Sequence, residues 1–132
     1  VHHAEPGATS RQMVRSVAAD TATVTYLGKV AVARGAQGTD SEQDVKAMLL
    51  HRSATANAKP ELEIYADDVK CAHGCAIGEL DAAALFYLQS RGLPPGEAKT
   101  LLLQAFVAGV FDGAADAEAL QARALAKLEA LV

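Results

Sequence analysis

Three residues with metal-ligating side chains fall at alternate positions in the 132-residue chain: Cys71, His73 and Cys75, separated by Ala72 and Gly74. If this stretch is extended, all three side chains point to one face, because successive residues of a strand alternate. Neighbours at i and i+2 are then about 7 Å apart, close enough for Cys71 and His73 to approach one metal or cluster edge together. Cys71 and Cys75 would be about 13 Å apart, beyond the reach of a disulfide unless Gly74 makes a sharp turn. Thiolate plus imidazole is the ligand set of zinc, iron or an iron-sulfur cluster, yet three groups do not complete a four-coordinate site. Solvent, His2, His3, His51, Asp67, Asp68 or a second chain could supply the fourth. The spacing matches no zinc ribbon or finger, and cysteine is among the most buried residue types, so packing competes with ligation here. Val69 shares the same face and favours burial.

The surrounding sequence changes character near residue 80. Before it, Val24, Tyr26, Val30 and Val32 keep one parity, as do Leu62, Ile64 and Ala66, which predicts strands over residues 21–34 and 61–66. Val45 to Leu50 is a shorter apolar run whose length favours strand. Residues 34–40 and Asn57-Ala58-Lys59-Pro60 read as turns. No Asn-Gly or Asp-Gly lies between two alternating runs, so simple hairpins are not expected.

After the boundary, Asp81 is placed as N-cap of a helix over 82–91, with Gly92 at its left-handed end. Pro94 and Pro95 suit a second helix start, followed by a stripe of Ala98, Leu101, Leu102, Ala105 and Gly109 up to Phe111-Asp112-Gly113. A third helix is expected over about 115–131, with Leu120, Ala124, Leu128 and Leu131 on one face. The division is therefore 1–80 and 81–132. Alternating strands without hairpin turns, then two to three helices, predict parallel β-helix coils followed by a C-terminal helical lobe, with an α+β sandwich as the competing fold.

Composition narrows the function classes. A formal net charge of -4 and a pI near 5.5 argue against nucleic acid, whose binding rests on Lys and Arg neutralising phosphates. The apolar runs break well before the ~18–20 residues of a membrane span, and no signal peptide opens the chain. Two cysteines are too few for a disulfide framework, which points to a reducing, cytoplasmic compartment. The first residue is Val, and the chain reads as starting inside a larger gene product. No G-x-x-x-x-G-K-[ST] loop, G-x-S-x-G elbow or H-E-x-x-H pair occurs, so nucleotide hydrolysis and hydrolase chemistry have no motif to stand on. No calcium-loop spacing joins Glu61, Glu63, Asp67 and Asp68, which read as solvated strand-face carboxylates.

The run KPELEIYADDVKCAHG from Lys59 to Gly74, then Gly78-Glu79-Leu80-Asp81, Leu85-Phe86-Tyr87-Leu88 and Ser90-Arg91-Gly92, resembles in order and spacing the C-terminal part of SufD, in the SufB/SufD family of iron-sulfur cluster assembly scaffold proteins. His2-His3-Ala4, Thr9-Ser10-Arg11-Gln12, Gly28-Lys29 and Gly35-Ala36-Gln37 with Thr39-Asp40 are similar too, so the resemblance runs from residue 1 to about 111. It implies a right-handed parallel β-helix with a helical domain. It further implies a non-catalytic subunit of a cytoplasmic complex that pairs with SufB through the β-helix and with the SufC ATPase through the helices. The iron-sulfur cluster would form transiently at the SufB junction, and this chain alone would bind no cofactor tightly. By motif position His73 is the cluster-proximal residue, with Cys71 beside it. Cys75 departs from the family pattern and is expected to pack. Phe86, Tyr87 and Arg91 are the expected SufC contact. Two other functions fit the residues: an autonomous metal-binding or thiol-redox module using Cys71, His73 and Cys75, and a structural β-helix that self-associates into a homo-oligomer through an unpaired strand edge.

Overall fold

The computed structural model describes residues 1–131. Six strands come first: β1 (His2–His3), β2 (Thr9–Ala18), β3 (Thr23–Val32), β4 (Asp40–Leu49), β5 (Thr55–Ile64) and β6 (Lys70–Glu79). Three helices follow: α1 (Ala82–Ser90), α2 (Pro95–Ala108) and α3 (Ala117–Glu129), with a 3-10 turn at Gly109–Phe111 after α2. The chain divides into two compact units, Val1–Gly78 and Glu79–Val132.

The strands sort into two three-stranded parallel sheets, ordered β1-β3-β5 and β2-β4-β6, so consecutive strands enter different sheets. This corrects the expected right-handed parallel β-helix. The strands, ten residues each from β2 to β6 and two in β1, are members of two parallel sheets and show no solenoid coiling. The β-then-α order stands. Period-two alternation and missing hairpin turns report half-buried, parallel strands, and neither signal states how the sheets are joined, so they do not determine a coil.

Register is fixed along the ladders. Thr9 to Ala18 pair with Asp40 to Leu49, and Thr23 to Val32 with Thr55 to Ile64. The Asn57-Ala58-Lys59-Pro60 turn expectation fails as a result, because all four residues lie inside β5. Pro60 sits opposite Gly28 on the last strand of its sheet, where a residue without an N–H is tolerated.

The apolar core of this unit is Val30, Val32, Ala36 and Ala66, with Ala33, Leu62, Val69 and Cys71 packed against it. Alongside it the interior holds polar groups: His3, Thr39, Ser41 and Gln43 are all buried. His3, Ser41 and Thr39 have partners rather than standing bare. His3 Nε2 and Ser10 Oγ lie 2.9 Å apart, Ser10 and Ser41 hydroxyls 2.9 Å apart, and Thr39 Oγ1 donates to the Ala36 carbonyl at 2.8 Å. Such pairing is what makes a polar interior tolerable.

In the helical unit, Asp81 Oδ1 accepts from the backbone N–H of Ala83 and Ala84, closing the start of α1. Its far end is a Schellman-type stop. Gly92 has φ of +96°, its N–H reaches the Gln89 carbonyl, and the Leu93 N–H reaches that of Leu88. The stripe expected on α2 is rotated: Ala98, Leu103 and Val107 are buried, whereas Leu101 is 45 % exposed. Three consecutive leucines made the face ambiguous, and packing selected Leu103. On α3 only Leu128 of the expected stripe is buried, with Leu120 and Leu131 exposed.

Candidate functional site

β6 carries the three residues singled out by the sequence, and it is extended throughout, including Gly74. The Lys70 N–H donates to the Thr39 carbonyl at 2.8 Å, as the Asp40 N–H does to the Ala8 carbonyl at the start of the β2–β4 ladder. Since Asp40 pairs with Thr9 there, the matching bond sets Lys70 across from Asp40. Cys71 then lies opposite Ser41, His73 opposite Gln43 and Cys75 opposite Val45. A Cβ on Gly74 would stand 3.9 Å from Asp44 Oδ1, consistent with that register.

Ser41, Gln43, Val45 and Ala47 are the buried alternation of β4, so Cys71, His73 and Cys75 carry the parity that faces between the sheets. Their surroundings nevertheless differ. Cys71 is half-buried against the Val30–Val32 core, while His73 and Cys75 are exposed because β6 ends its sheet. Cys75 therefore does not pack as expected. Both thiols are free, and the unbroken strand keeps them about 13 Å apart.

His73 lines an open cleft of about 600 Å³ with Lys29, Pro60, Glu61, Leu62 and Glu63. The charges in it are paired. Lys29 Nζ lies 2.8 Å from Glu63 Oε2, Lys59 Nζ lies 2.9 Å from Glu61 Oε1, and the Tyr65 hydroxyl donates to Glu63. The hydrogen bond to Glu63 raises Lys29 above the ordinary lysine value, and Glu63 is in turn held below the carboxylate range by its bonds from Lys29 and Tyr65. Glu61 is lowered chiefly by the bond from Lys59. The cleft thus presents one imidazole among ion-paired carboxylates, a setting suited to a polar or charged ligand.

Among the described residues no group of three or more His, Cys, Asp or Glu side chains is placed to hold a metal ion. The other residues considered as a fourth ligand are engaged elsewhere or apart: His3 is tied to Ser10, and His51 Nδ1 accepts the Asp20 N–H at 2.8 Å. His73 and Cys71 could supply part of a site that a second chain completes.

Phe86, Tyr87 and Arg91 form an exposed group on α1 and its end. Phe86 is 73 % and Tyr87 56 % exposed, and the Arg91 guanidinium stands 5.2 Å from the Tyr87 ring centroid, within cation–π range. Sequence reasoning missed the polar cluster of Gln12, Tyr26 and Gln43 behind the site. Its only sequence signal is the shared parity of Ser10 with Gln12 and Ser41 with Gln43.

Beside the site, Arg15 bridges β2 to β4. Its guanidinium pairs with the Asp44 carboxylate and donates to the Val14 and Asp44 carbonyls, with a side chain only 10 % exposed. That hydrogen bond, joined by the charge of Lys46, holds the Asp44 carboxyl below the usual carboxylate range. A carboxylate whose folded-state pKa is depressed adds stability above its ordinary value of about 3.9, and this is lost as pH falls through the lower folded value. Arg15→Met should therefore cost about 1–3 kcal/mol at pH 7. It should also flatten the acid limb of stability below about pH 4. Urea midpoints measured from pH 2.5 to 7 check both; an unchanged acid limb would remove Asp44 from the account.

A model of the family described as SUF system FeS cluster assembly, SufBD core domain, matches residues 1–106. The iron-sulfur cluster assembly protein SufD of Escherichia coli K12 is 36 % identical over 119 residues, covering 90 % of this chain and 28 % of that protein. A SufBD family protein of Synechocystis is 39 % identical over 107 residues, 81 % of this chain and 24 % of the relative. SufD of Bacillus subtilis is 35 % identical over 91 residues, 69 % and 21 % respectively. The chain thus spans about a quarter of the length of these relatives. With most of its length matched by one family model and by SufD proteins from separate bacteria, the chain belongs to the SufBD core-domain family of iron-sulfur cluster assembly.

Proposed function

We propose that this chain is a non-catalytic scaffold part of the SUF iron-sulfur cluster assembly complex, working in the cytoplasm. It pairs with SufB through its strand unit and is coupled to the SufC ATPase through its helical unit. The cluster is a transient substrate at the SufB junction, with His73 as the cluster-proximal group and Cys71 beside it, and this chain alone does not hold it tightly. The observation that carries this reading is the position of His73: an exposed imidazole on the end strand of a sheet, inside the span matched by the family.

Several features support the partner surfaces. β6 is exposed over nearly its whole length, and Ile64 and Ile77 add apolar surface at the ends of both sheets. An end strand of this kind is a template for pairing with another chain. On the helical unit, Phe86 and Tyr87 with Arg91 have the aromatic and arginine composition typical of interface anchors. No helix among the described residues is long and apolar enough to cross a membrane. The rival metal-module reading gains no support, since among the described residues no three His, Cys, Asp or Glu side chains are grouped to hold a metal ion.

Co-expression of the intact protein with SufB and SufC is the test of the scaffold role. A stoichiometric three-component complex is expected, and it should weaken when Phe86 and Tyr87 are both changed to Asp. Recovery of a homo-oligomer with no SufB would favour the self-associating reading and sink the scaffold one.

A further inference from the structure

The row of residues that ends at His73 begins with two glutamines. Gln43 on β4 is fully buried, and its Nε2 donates to the Tyr26 hydroxyl at 2.9 Å and to Gln12 Oε1 at 3.3 Å. Among the described residues, Gln43 Oε1 and Gln12 Nε2 are both buried with no hydrogen-bond partner. A buried acceptor left unmatched costs about 1–3 kcal/mol, so its retention asks for a reason.

Geometry supplies one. The oxygen and nitrogen of a carboxamide branch apart from one carbon. With Nε2 turned toward Gln12 on β2, Oε1 turns toward the strand on the other side of β4, which is β6. With Gln12 Oε1 placed toward Gln43, reversing the Gln43 amide alone would set an acceptor against an acceptor. The residue of β6 across from Gln43 is His73, by the register that the Lys70 to Thr39 bond sets. Neighbouring strands run about 4.8 Å apart, a distance that side-chain rotation closes to a hydrogen bond.

We propose that Gln43 is the positioning residue of His73: its carboxamide oxygen accepts one ring N–H of the imidazole and leaves the other ring nitrogen, with its lone pair, facing the cleft. The pairing fixes tautomer and ring direction together, as outer partners do for ligating histidines. Tyr26 and Gln12 hold the amide itself, so the row runs from the core to the exposed edge. The functional weight of this positioning rests on the reading of His73 as the cluster-proximal group, but the hydrogen bond can be tested without it.

The measurement is the long-range ¹H–¹⁵N spectrum of the histidine rings in the intact protein at about pH 8.5, where an ordinary imidazole is neutral. His73 is assigned by the signal lost in His73→Ala. A single tautomer is expected in the unaltered protein, tautomer averaging in Gln43→Leu, and a return to one tautomer in Gln43→Glu, which restores an acceptor. Gln43→Met serves if the leucine variant does not fold. Cluster yield on the assembled complex should fall about tenfold in Gln43→Leu and recover in part in Gln43→Glu. An averaged tautomer in the unaltered protein, or the same His73 spectrum with and without the Gln43 amide, overturns the positioning role even if His73→Ala abolishes assembly. Conversely, the expected spectra alongside an undiminished yield in His73→Ala uphold the positioning and sink the functional reading.

Discussion

Replacing His73 by alanine in the intact protein should lower cluster yield on the SufB–SufC-containing complex by at least about tenfold, while the complex itself still assembles in full ratio. The size follows from what the imidazole would do: losing even an outer partner of a metal ligand costs 10–100-fold, and a group at the cluster should cost no less. The clean separation from folding follows from position. His73 is exposed on the end strand of its sheet, and substitutions at such sites usually move stability by no more than about 0.5 kcal/mol. The two cysteines act as graded controls. Cys71→Ala removes a thiol that also packs on the Val30–Val32 core, so a smaller loss of yield should come with a small loss of stability. Cys75→Ser, at an exposed position, should change neither. Cluster yield read by absorbance and iron content, with complex ratio read by sizing, checks all three. Equal yields for His73→Ala and the unaltered protein would remove His73 from the site.

Local signals were the legible part of this fold. Asp81 and Gly92 mark the ends of α1 because capping and left-handed geometry are decided within a few residues. β3 was readable because its inward residues, Val24, Tyr26, Val30 and Val32, are apolar. β4 was seen only from Val45 onward, although it starts at Asp40. Its first inward residues are Ser41 and Gln43, buried polar groups that a hydrophobic period cannot register. The same blindness hid the buried Gln43. In β5 the Lys59-Pro60 pair imitated a turn, and only the ladder to β3 shows it to be strand. Family resemblance singles out His73 through an ordered motif, whereas its burial and neighbours depend on which strand lies beside β6, a non-local fact. The sheet arrangement is non-local in the same way, and the β-helix expectation failed there.

Gly28→Val should be among the most damaging single changes in the strand unit, by about 2–4 kcal/mol. A Cβ at Gly28 would stand 2.5 Å from Cζ and 2.6 Å from Cε1 of Tyr26, and closer still to the hydroxyl, because the ring lies over the glycine. The constraint is close approach, since φ at Gly28 is not in the left-handed range. To admit any side chain, the Tyr26 ring must leave, which forfeits its packing and the 2.9 Å hydrogen bond to Gln43. That removes one of the two contacts that orient the buried amide. Tyr26→Phe separates the parts: it deletes only the hydroxyl and should cost about 1 kcal/mol. Gly78→Ala, where nothing lies within 4 Å of the added Cβ, should be close to neutral. Urea midpoints for the three variants give the order Gly28→Val, Tyr26→Phe, Gly78→Ala. If Gly28→Val were as stable as Gly78→Ala, the Tyr26 ring would not rest on the backbone there. The route by which the core holds Gln43, and through it His73, would lose its first link.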